Sequence, residues 1–178
     1  MKQQSTQATT PTHEDHKNNF PNSQLVEVRR TFRAAVERVF KAWSDPEMVK
    51  QWWGPKQYSA PSAKIDFRVG GKFTFAMKGP DKKVMWSSGV YEEIAPNKKI
   101  VSSDYFSDED GTMISAKAAG RPGDWADKLF VTVEFESLSK DQSKIVLKHE
   151  GIPKEMYDDH VKGWTESIDK LQKLVEQN

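Results

Sequence analysis

A chain of 178 residues has room for one domain with a substantial core, and Lys+Arg 27 against Asp+Glu 26 leaves almost no net charge to attract nucleic acid or an anionic membrane. The absence of cysteine excludes a disulfide framework, a thiolate zinc site and a cysteine nucleophile. No apolar run of about 18 residues could span a bilayer, and Met1-Lys2-Gln3-Gln4-Ser5-Thr6-Gln7 lacks a signal-peptide core, so a soluble, cytoplasmic protein is expected.

Residues Met1 to Ser23 carry hardly a large apolar side chain before Phe20, too little to offset the entropy of ordering. They are expected to form a disordered polar tail (1–23) ahead of a single domain (24–178). Within the tail, His13, Glu14, Asp15 and His16 read as solvated residues and not as a metal clip, because a metal site needs fixed geometry. No metal and no cofactor is expected.

From Leu25 to Phe32, Val26, Val28 and Phe32 alternate with Glu27, Arg29 and Thr31, which predicts a strand with one buried face. Helical spacing follows in Val36, Val39, Phe40 and Trp43, and Ser44-Asp45-Pro46 breaks it. Asp45 and Pro46 suit the start of a second short helix bearing Met48, Val49 and Trp52, which Gly54-Pro55 stops. Strand alternation then dominates. Ile65 and Phe67 lead to a tight hairpin at Gly70-Gly71 and a strand with Phe73, Phe75 and Met77; further strands run from Val84 to Ile94 and from Ile100 to Phe106. Ser107 to Asp127 is long and irregular, a length typical of lids, binding loops or disorder. Leu129, Val131, Val133 and Phe135, then Ile145, Leu147 and His149, predict a closing hairpin.

Pro153 to Val175 reads as one long amphipathic helix, opened by Pro153, with Tyr157, Val161, Trp164, Ile168, Leu171 and Val175 on a single stripe. Gly163 in its middle costs roughly 1 kcal/mol relative to Ala, which predicts close approach of another backbone beside Trp164. The pattern as a whole is α+β: a strongly bent antiparallel sheet of six to seven strands around one C-terminal helix, with two short helices after the first strand. A curved sheet and a straight rod do not match along their whole length, so a space is expected between them.

Six stretches make the sequence recognisable: Thr31-Phe32-Arg33-Ala34-Ala35, Val39-Phe40-Lys41-Ala42-Trp43-Ser44-Asp45-Pro46, Gln51-Trp52-Trp53-Gly54-Pro55, Asp66-Phe67-Arg68-Val69-Gly70-Gly71, Gly89-Val90-Tyr91-Glu92-Glu93-Ile94 and Gly163-Trp164. In this order they resemble the homologues of the heat-shock-protein-90 ATPase activator, a family of the START-like, or Bet v 1-like, helix-grip superfamily. The resemblance runs from about Gln24 to Val175 and implies a curved sheet gripping the C-terminal helix with a cavity between.

Three functions follow. The first is non-enzymatic binding of a small hydrophobic, aromatic or lipid-like molecule, with Trp52, Trp53, Phe73, Phe75, Met77, Trp86, Leu129, Val131, His149, Trp164 and Ile168 as the cavity wall. The second is cyclase- or dehydratase-type catalysis in the cavity, as in some relatives of the superfamily. His149 is then the one candidate base, and Asp66 with Arg68 is either part of a site or a surface ion pair. The third is a co-chaperone role on an ATPase of the heat-shock-protein-90 type. The eukaryotic activators carry a further domain ahead of the matching region, where this sequence has a short polar tail. The expected partner is a small hydrophobic molecule, with a chaperone ATPase as the alternative, and the chain is expected to be a monomer or a homodimer.

Overall fold

In the computed structural model, which describes residues 20–177, one antiparallel sheet wraps a single long helix. Strand β1 (Ser23–Phe32) is followed by helices α1 (Val36–Ser44) and α2 (Pro46–Trp52). Six more strands come next: β2 (Ala63–Ile65), β3 (Lys72–Lys78), β4 (Val84–Ala95), β5 (Lys99–Ser107), β6 (Leu129–Ser139) and β7 (Gln142–Pro153). A 3-10 turn (Lys154–Met156) leads into α3 (Tyr157–Glu176). The sheet order is β1-β7-β6-β5-β4-β3-β2, so β2 to β7 form a meander and β1 adds to its far edge. This is the helix-grip α+β fold that the alternation of strands and the final apolar stripe predict.

Local chemistry explains the two short helices. Asp45 ends α1 and caps α2, its Oδ1 accepting the Glu47 N–H at 2.9 Å and the Met48 N–H at 3.3 Å, while Pro46 opens α2 where no N–H is needed. The V they form closes on its own indoles: the Trp43 and Trp52 rings lie 4.7 Å apart, and Trp52 Nε1 donates to the Ala42 carbonyl at 2.8 Å.

Along α3, Trp164, Ser167, Ile168, Leu171 and Val175 are buried. Ile168 and Leu171 are fully buried, and each such side chain contributes about 1.5–3 kcal/mol. Polar ties flank this stripe. Arg30 of β1 pairs with Asp169 at 2.7 Å and donates to Gln172 at 2.6 Å, and the Arg33 N–H donates to Glu176 at 2.9 Å. On the other side, Lys170 Nζ donates to the carbonyls of Trp53 (3.5 Å), Pro55 (3.2 Å) and Tyr58 (3.1 Å). Burial pushes the Lys170 ammonium below its ordinary pKa and the nearby Glu166 opposes that shift, while the converging carbonyls supply acceptors for the charged form. Glu166 accepts the Lys56 N–H at 3.0 Å, so α3 grips the segment after α2 as well as the sheet.

Three expectations need correction. Pro153 does not open the helix; it ends β7 opposite Ser23. The strand outruns the expected boundary through a bulge: Gln24 faces Ile152 while Val26 faces His149, so Glu150 and Gly151 together oppose Leu25, with Gly151 at φ +89°. Gly70-Gly71 is not a two-residue hairpin. β2 stops at Ile65, and residues 66–71 curl through Arg68 N–H to Asp66 O and Gly71 N–H to Arg68 O, with Gly70 at φ +79°. A Cβ on Gly71 would lie 2.0 Å from the Asp66 carbonyl oxygen, so this curl admits only glycine there. The curl folds Phe67 back onto Phe40 and Tyr91, at 5.7 and 5.0 Å. Finally, Ser23, the last residue of the expected tail, already belongs to β1, and its N–H and hydroxyl both donate to the Phe20 carbonyl. Residues 1–19 of that tail, including His13 and His16, lie outside the described residues.

Candidate functional site

Between the first half of α3, the 53–55 segment and strands β3, β4, β5 and β7 lies a cavity of about 190 Å³, partly open to solvent. The sheet curves toward the helix and brings side chains distant in sequence onto one wall: Met77 from β3, Trp86 from β4, Asp104 and Phe106 from β5, His149 from β7. Trp53 and Trp164, edge to face at 5.4 Å, form the opposite side. A smaller adjoining space of about 30 Å³ shares Trp53 and Asp104 and is lined by Phe73, Phe75 and Val131.

Of the residues expected in the wall, Trp53, Met77, Trp86, His149 and Trp164 meet around the main cavity, and Phe73, Phe75 and Val131 around the smaller one. Trp52, Leu129 and Ile168 do not. Trp52 and Ile168 are fully buried in packed core, and Leu129, 4% exposed, packs at the β7 bulge, where its Cδ2 would lie 2.6 Å from a Cβ on Gly151. Asp66 and Arg68 pair at 2.9 Å on the surface, with half or more of each side chain exposed, and take no part in the cavity.

The apolar wall ends in a polar corner. His149 is 4% exposed and accepts the Trp164 indole N–H on Nδ1 at 3.0 Å. An indole nitrogen only donates, so the neutral ring carries its proton on Nε2. That Nε2 lies 3.4 Å from Asp104 Oδ2, a contact that would count as an ion pair only with a protonated ring. The direction of approach is wrong for a hydrogen bond, and Nε2 has no hydrogen-bond partner among the described residues.

His160, one turn before Trp164, stands 6.0 Å from His149 between ring centroids. Its Nδ1 lies 2.9 Å from the Met156 carbonyl, an acceptor, so Nδ1 donates and Nε2 is bare. Burial above all, and then the neighbouring His149, lower its pKa to about 4. Arg121, from the 108–127 segment, completes the corner: its buried Nε has no partner among the described residues, and its guanidinium lies 6.0 Å from the centre of the Trp125 ring. Trp125 in turn packs on Phe106 (5.2 Å) and His160 (5.3 Å), carrying the irregular segment across the cavity to α3.

Sequence reasoning missed Asp104, His160 and Arg121. Two of these had a signal. Ile100, Ser102, Asp104 and Phe106 share one face of β5, so a carboxylate sits on an inward row, and His160 lies four residues before Trp164 on the stripe of α3. Arg121, in a segment without periodicity, had none.

Gly163 also borders the cavity, and here the expectation of close backbone approach fails. A Cβ at this position would meet only Pro55 Cγ, at 3.5 Å, an ordinary contact. Gly163→Ala is therefore expected to raise stability by about 0.5–1 kcal/mol through helix propensity, roughly 1–4 °C in Tm by thermal unfolding, while placing a methyl group at the cavity edge. A drop in Tm would show that the helix needs the glycine for packing.

Comparison with known proteins agrees with the geometry. The model of the family described as Activator of Hsp90 ATPase homolog 1-like protein matches residues 33–176. A search of curated proteins found no match. Among solved structures, a protein of Chromobacterium violaceum is 26% identical, covers 89% of this chain and 100% of its own, and superposes with a TM-score of 0.70. A protein of Arthrobacter aurescens (24% identity, 85% of each chain, TM-score 0.70) and the AHSA1 protein of Silicibacter pomeroyi (23%, 84% of this chain and 96% of its own, TM-score 0.67) share the fold. With a family model spanning most of its length and a helix-grip sheet around its last helix, the chain belongs to the Activator of Hsp90 ATPase homolog 1-like family.

Proposed function

We propose that this domain binds a small, largely apolar molecule, without converting it, in the cavity between sheet and helix. The observation that carries the reading is the combination of an aromatic wall (Trp53, Trp86, Phe106, Trp164) with a single polar corner at His149 and Asp104. Small-molecule sites have this composition: apolar area for affinity and a few convergent polar groups for orientation. The buried imidazole N–H without a partner costs about 1–3 kcal/mol, a cost that an acceptor on a ligand would remove.

Three tryptophans line the cavity, so intrinsic fluorescence reports occupancy directly. Titration with naphthalene-sized aromatics is expected to change that fluorescence saturably at about one molecule per chain. At a hundredfold excess over Kd, binding to the native state alone adds about 2.7 kcal/mol, roughly 5–10 °C in Tm. Gly163→Leu, which directs a larger side chain into the same space, is expected to abolish the response and leave a folded protein. A flat titration with the native chain would overturn the reading.

The family description favours one alternative, contact with an Hsp90-type ATPase. It would replace ligand binding if the titration stayed flat and purified ATPase bound the chain with a change in its turnover.

A further inference from the structure

Resting on the cavity reading above, we infer that the polar corner selects a neutral hydroxyl group, so that the ligand class is an aromatic alcohol or phenol and not an acid, an ether or an amine. A buried donor without a partner and a part-exposed carboxylate face each other there. His149 is buried, its Nδ1 already taken by Trp164, and its Nε2–H has no acceptor. Beside it, 3.4 Å away, is the Asp104 carboxylate, which accepts from no donor among the described residues. The corner therefore offers one donor and one charged acceptor at a separation that a single oxygen can bridge. A hydroxyl is the group that accepts from Nε2–H and donates to Oδ2 at once. An ether or ketone oxygen satisfies only His149 and faces the carboxylate with a lone pair.

Charge decides against the remaining classes. Asp104 and Asp159 both border the cavity against one guanidinium, that of Arg121. His160 stays neutral down to about pH 4 and adds no positive charge. A ligand carboxylate would sit against Asp104 and meet a net negative surround. An ammonium would pair with Asp104 but leave the His149 N–H without an acceptor. The hydroxyl leaves neither group unpaired, and a hydrogen bond to a charged acceptor is among the stronger neutral-ligand contacts.

Four probes of one shape test this by calorimetric titration of the full chain at neutral pH: 2-naphthol, 2-methoxynaphthalene, 2-naphthoate and naphthalene. Naphthol is expected to bind at least ~10-fold more tightly than each of the other three. In Asp104→Leu the preference of naphthol over methoxynaphthalene is expected to fall to within ~2-fold while naphthalene affinity is kept. Asp104→Asn, of the same shape, provides the second variant should the first not fold, with an intermediate preference. Equal affinities for all four probes would overturn hydroxyl selection and leave the cavity reading standing, as would tightest binding of naphthoate. Binding of none of them would overturn both.

Discussion

Trp164→Ala is expected to destabilise the protein by about 3–5 kcal/mol, or ~10 °C or more in Tm, measured by urea and thermal unfolding. Three losses coincide at this side chain. It is 9% exposed and stacks 6.3 Å from Trp43, so truncation opens a void between α3 and the helical V. It meets Trp53 edge to face, the contact that fixes the cavity rim. It also supplies the only hydrogen bond of the His149 ring among the described residues. Trp164→Phe separates these contributions: most of the volume stays and the N–H goes, so a loss of about 1–3 kcal/mol is expected. Lys162→Ala, exposed on the opposite face, should change stability by less than ~0.5 kcal/mol. Similar small effects of all three substitutions would show that α3 is not held by its stripe.

Gly89→Ala is expected to cost at least about 3 kcal/mol, although it adds one methyl group. Gly89 lies in β4 opposite Phe73, and a Cβ there would stand 1.9 Å from the Ser103 carbonyl oxygen and 2.5 Å from the Phe73 ring. Neither neighbour can retreat cheaply, since one is backbone of the adjacent strand and the other is stacked on Phe75 at 4.7 Å. Overpacking of a dense core costs about 1–3 kcal/mol, and a clash with backbone belongs at or above that range. A loss below ~1 kcal/mol would mean that β4 and β5 part more easily than their pairing implies. The contrast with Gly163 is instructive: the same substitution is expected to have opposite signs at two glycines of the same chain.

That contrast marks how far the sequence is legible. Period-two and period-3.6 patterns are local, and they gave the strands, the capped short helices and the buried stripe of α3. What a pattern cannot show is which of two adjacent side chains meets space. Trp52 ends α2 and turns into core; Trp53 follows in extended backbone at ψ 130° and faces the cavity. The polar corner needs more still, because Asp104 and His149 lie on strands separated by β6 and become neighbours only through the order β5-β6-β7. The β7 bulge was equally hidden. Glycine at residue 151 is a weak sign by itself, and only the pairing shows that the strand continues beyond it to Pro153.

The Lys170 anchor has a consequence for traffic in and out of the cavity. Three carbonyls of the 53–58 segment converge on one ammonium carried by α3, and Glu166 holds a fourth point, so this rim is fastened to the helix by charge-assisted bonds. The opposite rim, where Trp125 meets Phe106 and His160, is fastened among the described residues by ring contacts and by the Arg121 guanidinium over Trp125, without an ammonium held by carbonyls. A guest of the proposed kind is expected to enter and leave by the second side, because parting two rings costs less than stripping a half-buried cation of its acceptors. Residence time is then expected to follow a segment that contributes little to the aromatic wall, with the speed of exchange and the strength of binding set by different parts of the chain. Amide exchange at Lys56 and Tyr58 against that at 124–128 reads this division directly.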